Sequence, residues 1–256
     1  MSLAGRRRLT VPCLLLMVGF LSCACSTTST QGSPGVRPSR EFTNGGECAP
    51  LATPDLPRDA GCVTTVRGDV NGDGAGDALT VYARTDEDRL PRSWRMRVQS
   101  GSRIIDQSLD AGTEFSYPRA VGAADVNGDE RDEWFVKTLD LSGHGTAWLQ
   151  LSLFTLQGGR ISIVEYEDQA LALRVGGVSR TGEGVGCKDD RLVLLRAEAD
   201  NVRNTRWDTS TRAFALEGSR ARLVDRSSDT LEVEDYNDPV LDAFYSLECA
   251  GLRYTP

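Results

Sequence analysis

The sequence predicts an all-β protein, an array of about three to four antiparallel sheet units of roughly 56–60 residues each. Three observations carry that expectation. Runs of alternating apolar and polar residues recur along the chain, as half-buried strands require. Gly-small-Arg turns at Gly101, Gly158 and Gly218, at intervals of 57 and 60, join such runs into hairpins. Two acidic turns with one grammar begin at Asp69 and Asp125, 56 residues apart, and each leads directly into a β-rich segment.

Taken in order, the chain opens with Arg6, Arg7 and Arg8, followed by an apolar run over 11–21 and then small residues and cysteines. A basic region before an apolar run too short to span a bilayer is the pattern of an export signal. The segment FLSCAC resembles a bacterial lipobox, which makes 1–24 a lipoprotein signal peptide and Cys25 the lipidated residue, with Cys23 as the alternative. Cys25 is preferred on parity, because it leaves Cys48, Cys62, Cys187 and Cys249 as an even set for an oxidising compartment. The expected localisation is therefore exported and lipid-anchored on the outer face of the bacterial cell membrane. Residues 25–41, including STTSTQGSPGVRPSR, have no apolar periodicity and read as a flexible tether. Residues 42–256 remain for a β-repeat domain, with units at about 60–115, 116–175 and 176–235 and a closing C-terminal segment.

Each unit reads as a strand, a loop, a second strand and a hairpin. The strands after the loops are ALTVYAR, EWFVKTL and RLVLLRA; a strand such as PRAVGAADV precedes each loop. The hairpins are SWRMRVQS with RIIDQSL, TAWLQLSLFTL with RISIVEY, and TRAFALEG with RARLVDR.

In DVNGDGAGD the oxygen-bearing side chains Asp69, Asn71 and Asp73 fall at alternate positions, so a turning backbone can aim them at one point as ligands for a hard cation. Gly74 permits the sharp turn, the Ala75 carbonyl supplies a further oxygen, and Asp77 closes the cage. Asp125, Asn127, Asp129, the Arg131 carbonyl and Glu133 repeat the pattern, with Glu130 in place of the glycine. The expected cofactor is Ca2+, one or two ions. A plain acidic turn uses the same residue types. The third unit has GEGVGCKDD over 182–190, without alternating carboxylates and with Lys188 where a cation would be repelled. No metal is expected there; a Cys187–Cys249 bridge is expected instead, with Cys48–Cys62 as the second, among the three connectivities that four cysteines allow.

These loops, strands and period resemble the FG-GAP and VCBS-type repeat family of integrin-like β-propellers and bacterial surface proteins. The resemblance rests on DVNGDGAGDALTVY and DVNGDERDEWFV and covers about residues 60–235 as three units, the last degenerate. It implies a propeller-like arrangement closed by the termini and, as calcium ligands, Asp69, Asn71, Asp73, Ala75 and Asp77, then Asp125, Asn127, Asp129, Arg131 and Glu133. Asn at the third loop position costs one charge per site. An EF-hand would place its last ligand at Thr80 or Val136 and start a helix, and neither is expected.

Composition excludes more than it names. The formal charge is −8, and removal of the leader, which holds three Arg and no acid, takes it to −11. Such a chain is a poor nucleic-acid binder. The sole histidine, His144, lies in a Gly-rich connection without a nucleophile motif, so no catalytic constellation emerges. The tripeptide Arg67-Gly68-Asp69 spells an adhesion motif, but Asp69 is committed to the loop. Trp94, Trp134, Trp148 and Trp207 are expected to pack between strands. The reading is a lipid-anchored, calcium-stabilised binding or scaffolding module, its partners the membrane through the N-terminal lipid and an unknown protein or envelope polymer. The alternatives are a cell-envelope hydrolase on the same scaffold and a purely structural envelope lipoprotein.

Overall fold

The computed structural model describes residues 56–110, 117–142, 147–200 and 203–256. The leader, Cys23 and Cys25, the tether, Cys48 and His144 lie outside the described residues.

All-β is the observed class. Strands β1 (Ala60–Gly68), β2 (Asp77–Thr85), β3 (Pro91–Ser100) and β4 (Arg103–Leu109) form an antiparallel sheet in chain order. The alternation in SWRMRVQS works as the pleat demands: Trp94, Met96 and Val98 are buried and the residues between them are more exposed. They pair across to Ala83, Val81 and Leu79 of β2, so one face of the sheet is a continuous apolar layer. Each large side chain in such a layer contributes about 1.5–3 kcal/mol.

The order strand, acidic turn, strand, hairpin is seen again in β5 (Arg119–Ala124), β6 (Glu133–Asp140), β7 (Ala147–Gln157) and β8 (Arg160–Ile163). Strand β6 is buried on both faces: Trp134 and Val136 join the core of the first sheet, and Phe135 joins a second core. That explains why EWFV lacks polar alternation. A third run follows: β9 (Glu165–Tyr166), β10 (Gln169–Ala170), β11 (Leu173–Val178), β12 (Thr181–Cys187), β13 (Leu192–Ala199), β14 (Arg206–Glu217) and β15 (Arg220–Glu232). Hairpins β3–β4, β7–β8 and β14–β15 all turn through two residues, with Gly101, Gly158 and Gly218 at positive φ.

Separate sheets for each unit are not what forms. Strand β7 is long enough to pair with β6 along one edge while its other edge serves β11 through Ala147–Leu151 and β8 through Phe154–Gln157. The second and third runs are thereby merged into one sheet of 13 strands, beside the sheet of four. The expected strand RISIVEY is also broken at Val164, which joins the second core.

The third run corrects a second expectation. Residues 181–187 form strand β12, and only Lys188–Arg191 is a turn, closed by backbone hydrogen bonds in both directions. Asp189 and Asp190 have φ of 51° and 55°, the conformation of a tight two-residue hairpin. Glycine is needed in β12 because another backbone lies against it. A Cβ on Gly182 would sit 2.7 Å from the Phe244 carbonyl oxygen, and one on Gly184 would strike that of Ala243. Both carbonyls belong to a 3-10 helix, Pro239–Tyr245, started by Asp238 capping the Val240 N–H at 3.0 Å and by Pro239 at the first helical position.

The chain ends in β16 (Leu247–Cys249), parallel to β12, and β17 (Leu252–Tyr254), antiparallel to β16. Cys187 and Cys249 form the expected bridge, with Cα atoms 4.6 Å apart. Cys62 is disulfide-bonded as well. Leu252 packs on Gly122 of β5, and the Arg119 guanidinium donates to the Tyr254 hydroxyl at 2.5 Å.

Candidate metal centre

The two acidic turns adopt one conformation, position by position. In the first, Asp69 Oδ1 accepts from the Gly72 and Asp73 N–H groups at 2.8 and 3.1 Å, and Oδ2 from Gly74 at 2.6 Å. In the second, Asp125 Oδ1 accepts from Gly128 and Asp129 at 2.7 and 3.3 Å, and Oδ2 from Glu130 at 3.0 Å. Asn71 accepts from Asp73 N–H and Asn127 from Asp129 N–H. Asp73 accepts from Ala75 N–H and Asp129 from Arg131 N–H. The last acid reaches back in both: Asp77 to Val70 N–H at 3.4 Å and Glu133 to Val126 N–H at 3.1 Å.

Glu130, at φ 66°, takes the left-handed conformation that Gly74 takes at φ 80°. The missing glycine therefore leaves the turn unchanged and adds strain. Strands β2 and β6 start at Asp77 and Glu133, so Thr80 and Val136 lie in strands and no helix follows either turn.

The turns also touch each other. Asp69 N–H donates to Asp132 Oδ2, and Asp132 N–H to the Asp69 carbonyl, both at 2.7 Å. Arg131 lies against Gly72, where an added Cβ would come within 3.3 Å of its Cγ. The carboxyl of Asp190, in the third turn, fills the space beside Gly128. Asp132 was not legible as a site residue, because it stands where the first turn has Gly76. Ser100, which accepts from Asn71 Nδ2 at 2.8 Å, was missed because it comes from a distant hairpin.

Electrostatics differ along each turn. Desolvation works against the Asp69 carboxylate, but N–H groups from Gly74, Gly72, Asp73 and Asn71 outweigh it and hold its pKa below the ordinary value. Burial raises Asp132, with the Asp125 and Asp69 carboxylates adding to it. Burial likewise pushes Glu133 up to about 8, with Asp129, Asp125 and Asp132 contributing. Asp77 and Glu133 are 3% and 2% exposed, deep for carboxylates that belong to no ion pair among the described residues.

Among the described residues no group of three or more Asp, Glu, His or Cys side chains is gathered as a metal-holding cluster. The donors in these turns are of mixed kind, however: carboxylate, amide oxygen and backbone carbonyl, which is the oxygen set of a hard cation. Buried carboxylates crowded by like charge match that chemistry, since an uncompensated charge at such depth is costly. The residue types present are those a divalent ion takes, although the described carboxylates are not gathered around one point. The adhesion tripeptide is spent locally, with both Asp69 oxygens turned onto the loop backbone and Arg67 donating to the Gly76 carbonyl.

Trp94, Trp134 and Trp207 are buried as expected, and Trp148 is half-buried on β7. The Trp134 indole N–H is buried with no acceptor among the described residues. Among the described residues no helix is long and apolar enough to cross a membrane. No protein-family model matches the chain, and a search of curated proteins finds no match.

Proposed function

We propose that the protein is an exported, lipid-anchored, calcium-stabilised β-repeat module that binds or scaffolds at the bacterial cell envelope. The observation that carries this reading is the equivalence of the two acidic turns, in which each ligand position of one has its counterpart in the other. Asp69, Asn71, Asp73, the Ala75 carbonyl and Asp77 would hold one Ca2+; Asp125, Asn127, Asp129, the Arg131 carbonyl and Glu133 would hold a second. When bound, the ion supplies the positive charge that these buried carboxylates lack. The chain's own part is to fix the ligands: each turn is pinned by backbone N–H donors and anchored at the start of a buried strand.

The family resemblance extends the reading to an FG-GAP/VCBS-type repeat in a propeller-like arrangement. In support, the strands preceding the three turns are linked in sequence. Ala120 of β5 donates to Thr64 of β1 at 2.9 Å, β5 meets β17, β17 pairs with β16, and β16 pairs with β12. Equilibrium dialysis against calcium tests the metal. Saturable binding of one or two ions that Asp73→Ala diminishes is expected, and no saturable binding would overturn the reading.

A further inference from the structure

Away from the acidic turns, three arginines line one cleft on a sheet face. A cleft of about 400 Å³ opens over β11–β14, and Arg174, Arg196, Arg212, Glu183 and Ser210 are among its lining residues. Pairing explains why they share a face: Glu183 stands opposite Arg196, Arg196 opposite Ser210, and Arg212 follows two residues along β14. The reverse face of these strands is taken, since Ala197 and Trp207 pack with Leu241 and Phe244 around the 3-10 helix. The cleft face is covered by the main core at Leu192, Leu194 and Phe214 and is open over Arg196 and Arg212.

Of its three arginines, Arg212 is the one with no ion pair among the described residues. Arg212 stands directly opposite Arg226 of β15, and both are exposed. Like charges so placed destabilise a sheet. Among the described residues neither guanidinium is in an ion pair; that of Arg212 lies over the Phe214 ring at 5.8 Å. Arg174 and Arg196 each meet one carboxylate, Glu183 at 4.0 Å and Glu198 at 3.1 Å, and their side chains are 61% and 55% exposed.

The ligand follows from this mixture. A guanidinium fork matches a carboxylate through two parallel hydrogen bonds. Glu183, mostly buried within the cleft, accepts from hydroxyls and repels a chain that is densely anionic. Ser210 can donate or accept. A hydroxyl-rich chain with spaced carboxylates satisfies all five groups. We propose that this cleft binds an anionic glycan, a uronate-bearing polysaccharide segment, with Arg174, Arg196 and Arg212 taking its carboxylates and Glu183 and Ser210 its hydroxyls. The site is separate from the acidic turns, so its failure and theirs are told apart.

The test is calorimetric titration of the full chain, in calcium-containing buffer, with hyaluronan fragments, whose carboxylates fall on alternate sugars. Saturable binding is expected, weakened about tenfold by Arg174→Gln or Arg212→Gln, as loss of a charge-assisted pair implies. Arg212→Lys should fall between, keeping the charge but losing the fork. Arg253→Gln, the same charge change at a site outside the cleft lining, should leave binding unchanged, and circular dichroism should be the same for all variants. The proposal is overturned by absence of saturable binding, or by equal weakening in Arg253→Gln. It is also overturned if neutral chitooligosaccharides bind as well, or if polyphosphate binds more tightly through the same arginines.

Discussion

Replacing Cys187 and Cys249 together by Ala tests whether the C-terminal hairpin closes the fold or only decorates it. The bridge joins the end of β12 to the end of β16 across a sequence separation of 62. In the chain-entropy treatment a loop of that length stabilises by about 4 kcal/mol at 25 °C. The hairpin has few other ties: a parallel pairing of Val185 with Leu247 and Gly186 with Glu248, the buried Leu247, Leu252 on Gly122, and Arg119 with Tyr254. For a domain of this size 1 kcal/mol moves the melting midpoint by about 2–4 °C, so the double variant should melt about 8–16 °C lower. Scanning calorimetry with calcium present measures this directly, and the substitution leaves the Cys62 bridge intact, as chemical reduction would not. A shift below about 2 °C would refute the reasoning, because a hairpin that opens on its own cannot carry its loop entropy into global stability.

Other consequences are equally direct. Glu130→Gly relieves a non-glycine residue held at φ 66° and should raise stability by about 1 kcal/mol, read from the urea midpoint. Asp140→Asn strips the partner, 2.8 Å away, from Lys137, whose side chain is only 8% exposed, and should cost about 3–5 kcal/mol near neutrality. Burial opposes the Asp140 charge, but the Lys137 and Ser142 hydrogen bonds outweigh it and hold its pKa below the ordinary value. Its stabilisation is therefore present above the usual carboxylate range and lost as pH falls through the folded pKa. The difference between wild type and Asp140→Asn should shrink on acidification, in urea midpoints taken across that range.

Local chemistry was readable where one residue type answers one backbone demand. The glycines at 101, 158 and 218 marked three two-residue hairpins because each occupies a positive φ. The alternation at 69, 71, 73 and 77 marked a turn because each of those oxygens has its own N–H to receive. Cysteine parity pointed only to an even set of four, and of the three connectivities that set allows, the expected Cys187–Cys249 pairing is one that forms. What failed was read from composition without its tertiary cause. The glycines of 182–186 look like a loop until the 3-10 helix backbone is laid on them. Asp238-Pro239 is the signal that could have announced that helix. The sharing of β7 between two edges left no local trace, since a strand of 11 residues reads the same whether one partner lies alongside or two. Asp132 joins the two turns through contacts that only the fold creates.

The central claim is that two short acidic turns hold calcium and thereby fix the strands that follow them. It is tested most directly by the melting midpoint with saturating calcium and with excess EDTA, for wild type and Asp73→Ala. Calcium at a hundred times its dissociation constant adds about 2.7 kcal/mol per site, so the wild-type midpoint should fall by at least about 5 °C in EDTA. Asp73→Ala should show a smaller fall. Identical midpoints for the wild type in calcium and in EDTA would contradict the account.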